Sequence, residues 1–231
     1  MKGIRSLVRR MILGSKRDSE SFLNFLKKEG IIIGEGTIIY DPVNTVIDTQ
    51  NPKLLKIGKN VRITTGVTIL THDFSWSVVA GVYGECIGGV APVTIGNNVF
   101  IGVRSTILRG SRIGNNVIIG ANSVVRGILE DNAVYAGNPV RKIMTLEEFY
   151  QKRRAQERDE IQEIIDTIGP DHDSEIWKYL REYSCQFEEA PEGVKRQIMK
   201  DSGYYEKCKE HYTGGKGKYS LSEFRKNRGT E

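Results

Sequence analysis

From residue 95 onward every sixth position is aliphatic: Ile95, Ile101, Ile107, Ile113, Ile119 and Val125. A glycine usually follows each (Gly96, Gly102, Gly114, Gly120), and the fourth residue after each is small or β-branched (Val99, Ser105, Ser111, Val117, Ser123). The register also holds earlier, at Ile57, Ile63 and Ile69 with Gly58, Val61 and Val67, and another copy opens at Ile33, Gly34 and Ile39. A period of six is neither the ~3.6 of an amphipathic helix nor the alternation of a half-buried strand. It describes a short strand and a bend, repeated, with the aliphatic side chain returning to one interior and the small residues permitting the corner. Three such faces close a triangular coil. Gly96-Asn97-Asn98 is answered by Gly114-Asn115-Asn116 eighteen residues later, one full turn. An isolated coil cannot bury its inner face, so stacking supplies the core. The pattern predicts a mainly β fold, a parallel β-helix, and leaves its hand open. Asn60, Asn97, Asn98, Asn115 and Asn116 fall at corners, where left-handed backbone is expected, and are read as structural.

The register breaks twice. Residues 41–52, DPVNTVIDTQNP, lose it and read as an enlarged corner or short insertion. Residues 73–92 form a longer, glycine-rich excursion that carries Trp76 and Tyr83. Long excursions from a compact repeat are usually functional or disordered, and an active-site flap is the preferred reading. After Ile143 the composition changes. Thr145 and Glu148 make a capping box for a charged helix that ends before Gly169-Pro170. Shorter helical patterns follow at residues 176–183 and 193–209, and the Gly- and Lys-rich tail from about Thr213 reads as loosely ordered. At the front, residues 19–28 read as a short helix. The organisation expected is therefore an N-terminal helical segment (1–30), a β-helix domain (31–143) and a C-terminal helical extension (144–231).

Composition narrows the classes. A net charge of +5 over 231 residues suits an anionic ligand and is too dispersed to argue for nucleic acid. Three cysteines, Cys86, Cys185 and Cys208, have no ligand-like spacing, so a cytoplasmic protein without a disulfide framework is expected. The basic start, MKGIRSLVRRMILG, is interrupted by Arg9 and Arg10 and is neither a secretory core nor a membrane span. A helix packing on its own protein is preferred there to an interfacial helix making peripheral membrane contact.

Of the three histidines, His172 and His211 lie in the polar C-terminal region with nothing to mark them. His72 ends the Ile57-Ile63-Ile69 register where the chain leaves the repeat for the excursion. A histidine at the junction of rigid scaffold and loop is well placed for catalysis. The hexads, the Thr71-His72-Asp73 step and the closing Tyr135-Ala-Gly-Asn-Pro139-Val-Arg-Lys142 segment together resemble the hexapeptide-repeat acyltransferases, specifically their sugar and polysaccharide O-acetyltransferase branch. The resemblance covers residues 31–143. It implies a left-handed coil, a homotrimer, acetyl-CoA as co-substrate in a groove between subunits, no required metal, and His72 as general base toward a carbohydrate hydroxyl.

The chemistry suits that assignment. An imidazole, with an ordinary pKa near 6.5, is mostly neutral at cytoplasmic pH and still basic enough to take a hydroxyl proton. Negative charge on the tetrahedral intermediate calls for a facing backbone N–H. Asp73, which next to His72 points elsewhere and either holds the flap or orients substrate, joins Thr64, Thr65, Trp76 and Tyr83 as the candidate substrate contacts. By resemblance the cofactor candidates are Phe100, where many relatives carry tryptophan, Gly102 and Ala121 along the pantetheine arm, and Arg126, Arg141 and Lys142 for CoA phosphates. The acceptor asparagine of the galactoside and maltose enzymes has no counterpart near Thr64 and Thr65, so acceptor residues do not carry over.

Three other activities fit the same frame: N-acetylation of a nucleotide-linked amino sugar, xenobiotic O-acetylation, and a non-enzymatic trimeric scaffold. The tryptophan-rich C-terminal region of drug-inactivating relatives is missing. A metal-dependent carbonic anhydrase needs three histidines on the repeat, where only His72 lies.

Overall fold

A computed structural model describes residues 12–169, 175–212 and 217–226. Residues 1–11, which carry the basic start, lie outside the described residues, as does His172. The chain divides into two compact units, Met1–Phe149 and Tyr150–Glu231. Among the described residues no helix is long and apolar enough to cross a membrane.

The first unit is a left-handed β-helix of three parallel sheets. One sheet stacks Ile32–Ile33, Leu55–Ile57, Val93–Ile95, Arg112–Ile113 and Ile128–Leu129. The next stacks Ile38–Ile39, Arg62–Ile63, Val99–Ile101, Val117–Ile119 and Ala133–Ala136, and the third Val46–Ile47, Thr68–Ile69, Thr106–Ile107 and Val124–Val125. The hexad aliphatics lie in direct register: Ile39, Ile63, Ile101 and Ile119 pair in sequence, as do Ile47, Ile69, Ile107 and Val125. All but Ile47, at 7%, are fully buried. Burial of each such side chain is worth roughly 1.5–3 kcal/mol, and the ladder sums these along the axis. Ser105, Ser111 and Ser123 are buried too, their hydroxyls satisfied by the carbonyls of Gly120 (2.9 Å), Leu108 (2.6 Å) and Gly120 (2.7 Å).

The coils approach closely where glycine follows the aliphatic. A Cβ on Gly96 would lie 2.4 Å from the Gly114 carbonyl oxygen, and one on Gly102 2.6 Å from the Ala121 amide. Asn60, Asn98 and Asn116 take left-handed φ of 53°, 55° and 55°. Asn97 and Asn115 do not. They face outward and build a ladder, with Asn97 Nδ2 donating to Asn115 Oδ1 (3.0 Å), and the Asn115 amide donating to Asp131 Oδ1 (2.7 Å). Arg104 adopts left-handed backbone (φ 58°) in a corner column between Gly66 and Asn122.

Residues 41–52 contain the enlarged corner their sequence suggests, and they also carry a strand, Val46–Ile47. Asp41 holds a turn through the Asn44 amide (3.3 Å) and side chain (2.7 Å), after which Val46–Ile47 rejoins the third sheet opposite Thr68–Ile69. Two extra corner residues are absorbed and the coil continues. Helix α1 (Ser19–Glu29), capped by Asp18 and stopped at Gly30 (φ 108°), buries Phe22 and Leu26 with the first coil. At the far end Ala133–Ala136 pairs antiparallel with Arg141–Thr145, the Asn138-Pro139 peptide being cis.

The excursion is ordered. His72–Asp73 pairs antiparallel with Gly89–Val90, and between them lies helix α2 (Trp76–Tyr83), ended by Gly84 at φ 70°. Helix α3 (Leu146–Ile168) starts on the Thr145 capping box: the Glu148 amide donates to Thr145 Oγ1 (3.1 Å) and the Thr145 amide to Glu148 Oε2 (2.7 Å).

The second unit has its own aromatic core. Phe187 meets the rings of Trp177, Tyr219 and Phe224 at 5.5, 5.9 and 5.8 Å. Residues 213–216 and 227–231 of the Gly- and Lys-rich tail lie outside the described residues. The part between them is not loose: Tyr219 bridges to Phe187, and Phe224, in the helix Leu221–Lys226, is fully buried.

Candidate active site

His72 sits just past the third sheet, where the strand Thr68–Ile69 ends and Leu70-Thr71 lead the chain into the excursion. Its Nδ1 lies 2.6 Å from Asp48 Oδ2, and its side chain keeps 27% of its surface open to solvent. Asp48 is buried, at 4% for the side chain. It follows Ile47 in the preceding coil, so the pairing of Ile47 with Ile69 brings residues 24 apart together. The carboxylate is heavily bonded. Oδ2 accepts the Thr71 amide (2.9 Å) and, very closely, the Thr71 hydroxyl, while Oδ1 accepts the Gln50 amide (2.9 Å). Burial by itself pushes this carboxyl upward, but the bonds from Thr71, Gln50 and His72 outweigh it and hold the pKa at about 2. Asp48 is therefore an anion at neutral pH. It fixes the proton on Nδ1, so Nε2 carries the lone pair, the arrangement a general base needs.

Sequence reading missed Asp48 because residues 41–52 looked out of register. The signal was present in Val46-Ile47-Asp48, an aliphatic strand ending in a carboxylate one coil before Thr71-His72.

Asp73 is turned to the scaffold. Its Oδ1 accepts the Ser75 amide (3.1 Å) and hydroxyl (2.5 Å), and its Oδ2 contacts Arg109 Nε on the next coil. Those bonds from Ser75 and Arg109 draw the carboxyl far below the usual carboxylate range. A Cβ on Gly89 would sit 2.7 Å from Asp73 Oδ1, so the returning strand needs glycine there. Asp73, Ser75 and Arg109 thus clamp the root of the excursion. Trp76 packs on Phe74 (ring centroids 4.6 Å), whereas Tyr83 is 78% exposed. Thr64 Oγ1 donates to the Ile101 carbonyl (2.7 Å), and the Thr65 carbonyl accepts the Arg104 amide of the next coil (2.9 Å).

The cofactor candidates lie on other elements. Phe100 is exposed on the second sheet between Arg62 and Ile118. Gly102 and Ala121 stack on each other, and the space of the missing Gly102 Cβ is taken by the Ala121 backbone. Arg126 is exposed after Val125. Arg141 and Lys142 are exposed on the closing strand, Arg141 on the Val140 carbonyl (3.0 Å) and Lys142 at 3.6 Å from Glu130.

Residues 92–127 match the family model described as bacterial transferase hexapeptide (six repeats). The chain is 39% identical over 127 residues to Protein CapG of Staphylococcus aureus, covering 55% of this chain and 73% of that protein. Among solved structures, a maltose O-acetyltransferase from Clostridium difficile 630 aligns at 28% identity and TM-score 0.42, over 61% of this chain and 83% of the other. A hexapeptide-repeat acetyltransferase from Vibrio cholerae aligns at 26% identity and TM-score 0.42, over 50% of this chain and 62% of that one. The chain belongs to the bacterial hexapeptide-repeat transferase family.

Proposed function

We propose that the protein transfers an acetyl group from acetyl-CoA to a hydroxyl of a sugar or polysaccharide precursor, with His72 as general base and Asp48 as its positioning residue. The observation that carries this reading is the 2.6 Å contact between His72 Nδ1 and a buried, ionised Asp48. As the acceptor oxygen attacks the thioester carbonyl, Nε2 of His72 takes its proton. Collapse of the tetrahedral intermediate breaks the carbon–sulfur bond, and the imidazolium returns the proton to the departing CoA thiolate. Asp48 stays ionised throughout and stabilises the transient imidazolium, a role it can play because its hydrogen bonds keep it a weak base.

In this reading acetyl-CoA lies in a groove between neighbouring copies of a homotrimer, with Phe100, Gly102 and Ala121 along its arm and Arg126, Arg141 and Lys142 near its phosphates. Exposed apolar side chains on the outer faces of the sheets, Ile32, Val46 and Ile128, support burial against further copies. The aromatic excursion, with half-buried Trp76 and exposed Tyr83, supports an acceptor contact there. Light scattering tests the trimer.

The decisive experiment measures CoA thiol release with acetyl-CoA and a panel of sugar acceptors, with mass spectrometry of the products. Acceptor-dependent release that is lost in His72→Ala, with a hydroxylamine-labile ester product, is the expected result. Equal rates for wild type and His72→Ala would sink the reading. A hydroxylamine-stable product would assign N-acetylation of an amino sugar instead.

A further inference from the structure

The second unit holds a half-open cavity of about 550 Å³ lined by residues of that unit alone. This falls within the ~300–1,000 Å³ of ordinary ligand sites. Tyr150, Arg154 and Glu157 of helix α3 form one wall, Glu182 and Gln186 of the 3-10 segment Arg181–Gln186 another, and Tyr212 a third. Nothing in acyl transfer as derived above uses them.

The charges at this cavity are largely cancelled. Arg153 is gripped at both ends by Glu160 (2.5 and 2.7 Å), which also accepts the Tyr183 hydroxyl (2.6 Å). Lys218 rests on Glu157 at 2.9 Å. With those pairs closed, the Glu182 carboxylate on the wall opposes a phosphate. What the cavity offers instead is aromatic faces and planar hydrogen-bonding groups. The Arg154 guanidinium lies over the Tyr150 ring at 5.8 Å, and Gln186 Nε2 donates to the Tyr212 hydroxyl at 3.1 Å. Phenol, amide, guanidinium and carboxylate groups side by side can both donate to and accept from neighbouring hydroxyls. Apolar ring faces accommodate the C–H face of a pyranose.

We infer that this cavity binds a short stretch of neutral oligosaccharide, making the C-terminal unit a carbohydrate-binding module carried on the same chain as His72. Its chemistry is independent of the acetyl-transfer reading. A polymer held there stays tethered to the polypeptide that would modify it, which raises its effective concentration without any contact at His72.

The test uses the full chain. A bacterial glycan array identifies a neutral oligosaccharide, and calorimetry measures its affinity for wild type, Tyr150→Ala, Gln186→Ala and His72→Ala, with pyrophosphate as the anionic comparison. Binding about tenfold weaker or more in both cavity variants, with His72→Ala unchanged, is expected. In the unmutated protein the Gln186 side-chain amide resonances should move on titration, which needs no variant to fold. Absence of any retained neutral glycan, binding of pyrophosphate alone, unweakened binding in both cavity variants, or an unmoved Gln186 amide would each overturn the inference. Thiol release lost in His72→Ala would still stand in all of those cases, so the two readings fail separately.

Discussion

The two units are held together by different means. The β-helix repeats one small interaction many times: an aliphatic side chain over its copy in the next coil, a glycine where backbones touch, an asparagine at the corner. The C-terminal unit has a single aromatic node, Phe187 ringed by Trp177, Tyr219 and Phe224, fastened by ion pairs such as Arg153–Glu160. A repeating frame is stiff along its length and places a side chain accurately. It has little means of building a concave site within one chain, because every face is a flat sheet. A one-off packing of helices can leave a concave, half-open cavity, and here it does. Chemistry on the first unit therefore collects where the repeat is interrupted, at His72 and Asp48.

That contrast can be broken or sharpened by substitution. His72→Ala should have the largest effect. It removes a base term of ~10²–10⁴ in rate, equal to about 3–5 kcal/mol of barrier, while the melting temperature stays within a few degrees. Thiol-release kinetics beside a thermal melt check it, and a melt that collapses in parallel would mean His72 is a structural residue.

The next effect compares the cores directly. Phe187→Ala should cost about 3–5 kcal/mol and Ile101→Ala about 2–5 kcal/mol, each by cavity formation in a fully buried site. Hydrogen exchange should localise the first loss to residues 150–231 and the second to the coils flanking residue 101. Exchange that rises throughout the chain in both variants would show that the units do not differ in this way.

Asp48 links site to frame. Its pKa is lowered from 3.8 to about 2 in the fold, so its stabilisation is complete above about pH 4 and is lost as pH falls through about 2. The contribution is roughly 2 kcal/mol at neutral pH. Asp48→Asn should flatten acid unfolding across that window and lower activity by about 10- to 100-fold, part of the base term. Unchanged activity would remove Asp48 from the mechanism.

The smallest effect belongs to the boundary between the two patterns. Thr145→Ala takes the cap from helix α3 and should cost about 1 kcal/mol, visible as a shift in the denaturant midpoint with the same slope.

The amino-acid sequence by itself determined the coil. Six-residue spacing of Ile95 through Val125 buries every aliphatic in a three-sided coil, whose hand it leaves open, and the Thr145 box and Gly169 set the ends of helix α3 because capping is local. It also pointed to His72, which stands where the period stops. Only the tertiary structure decided the rest. Asp48 reaches His72 across 24 residues because Ile47 stacks on Ile69, a register hidden by the extra corner residues before Val46. Asp73 turns to Arg109 on the next coil, 36 residues on, a partner that spacing alone does not show. The cavity of the second unit draws on helices that share no period at all. Local spacing encodes contacts that repeat. A contact made once, between segments joined by an irregular corner, leaves no period in the sequence and exists only when the coils stack.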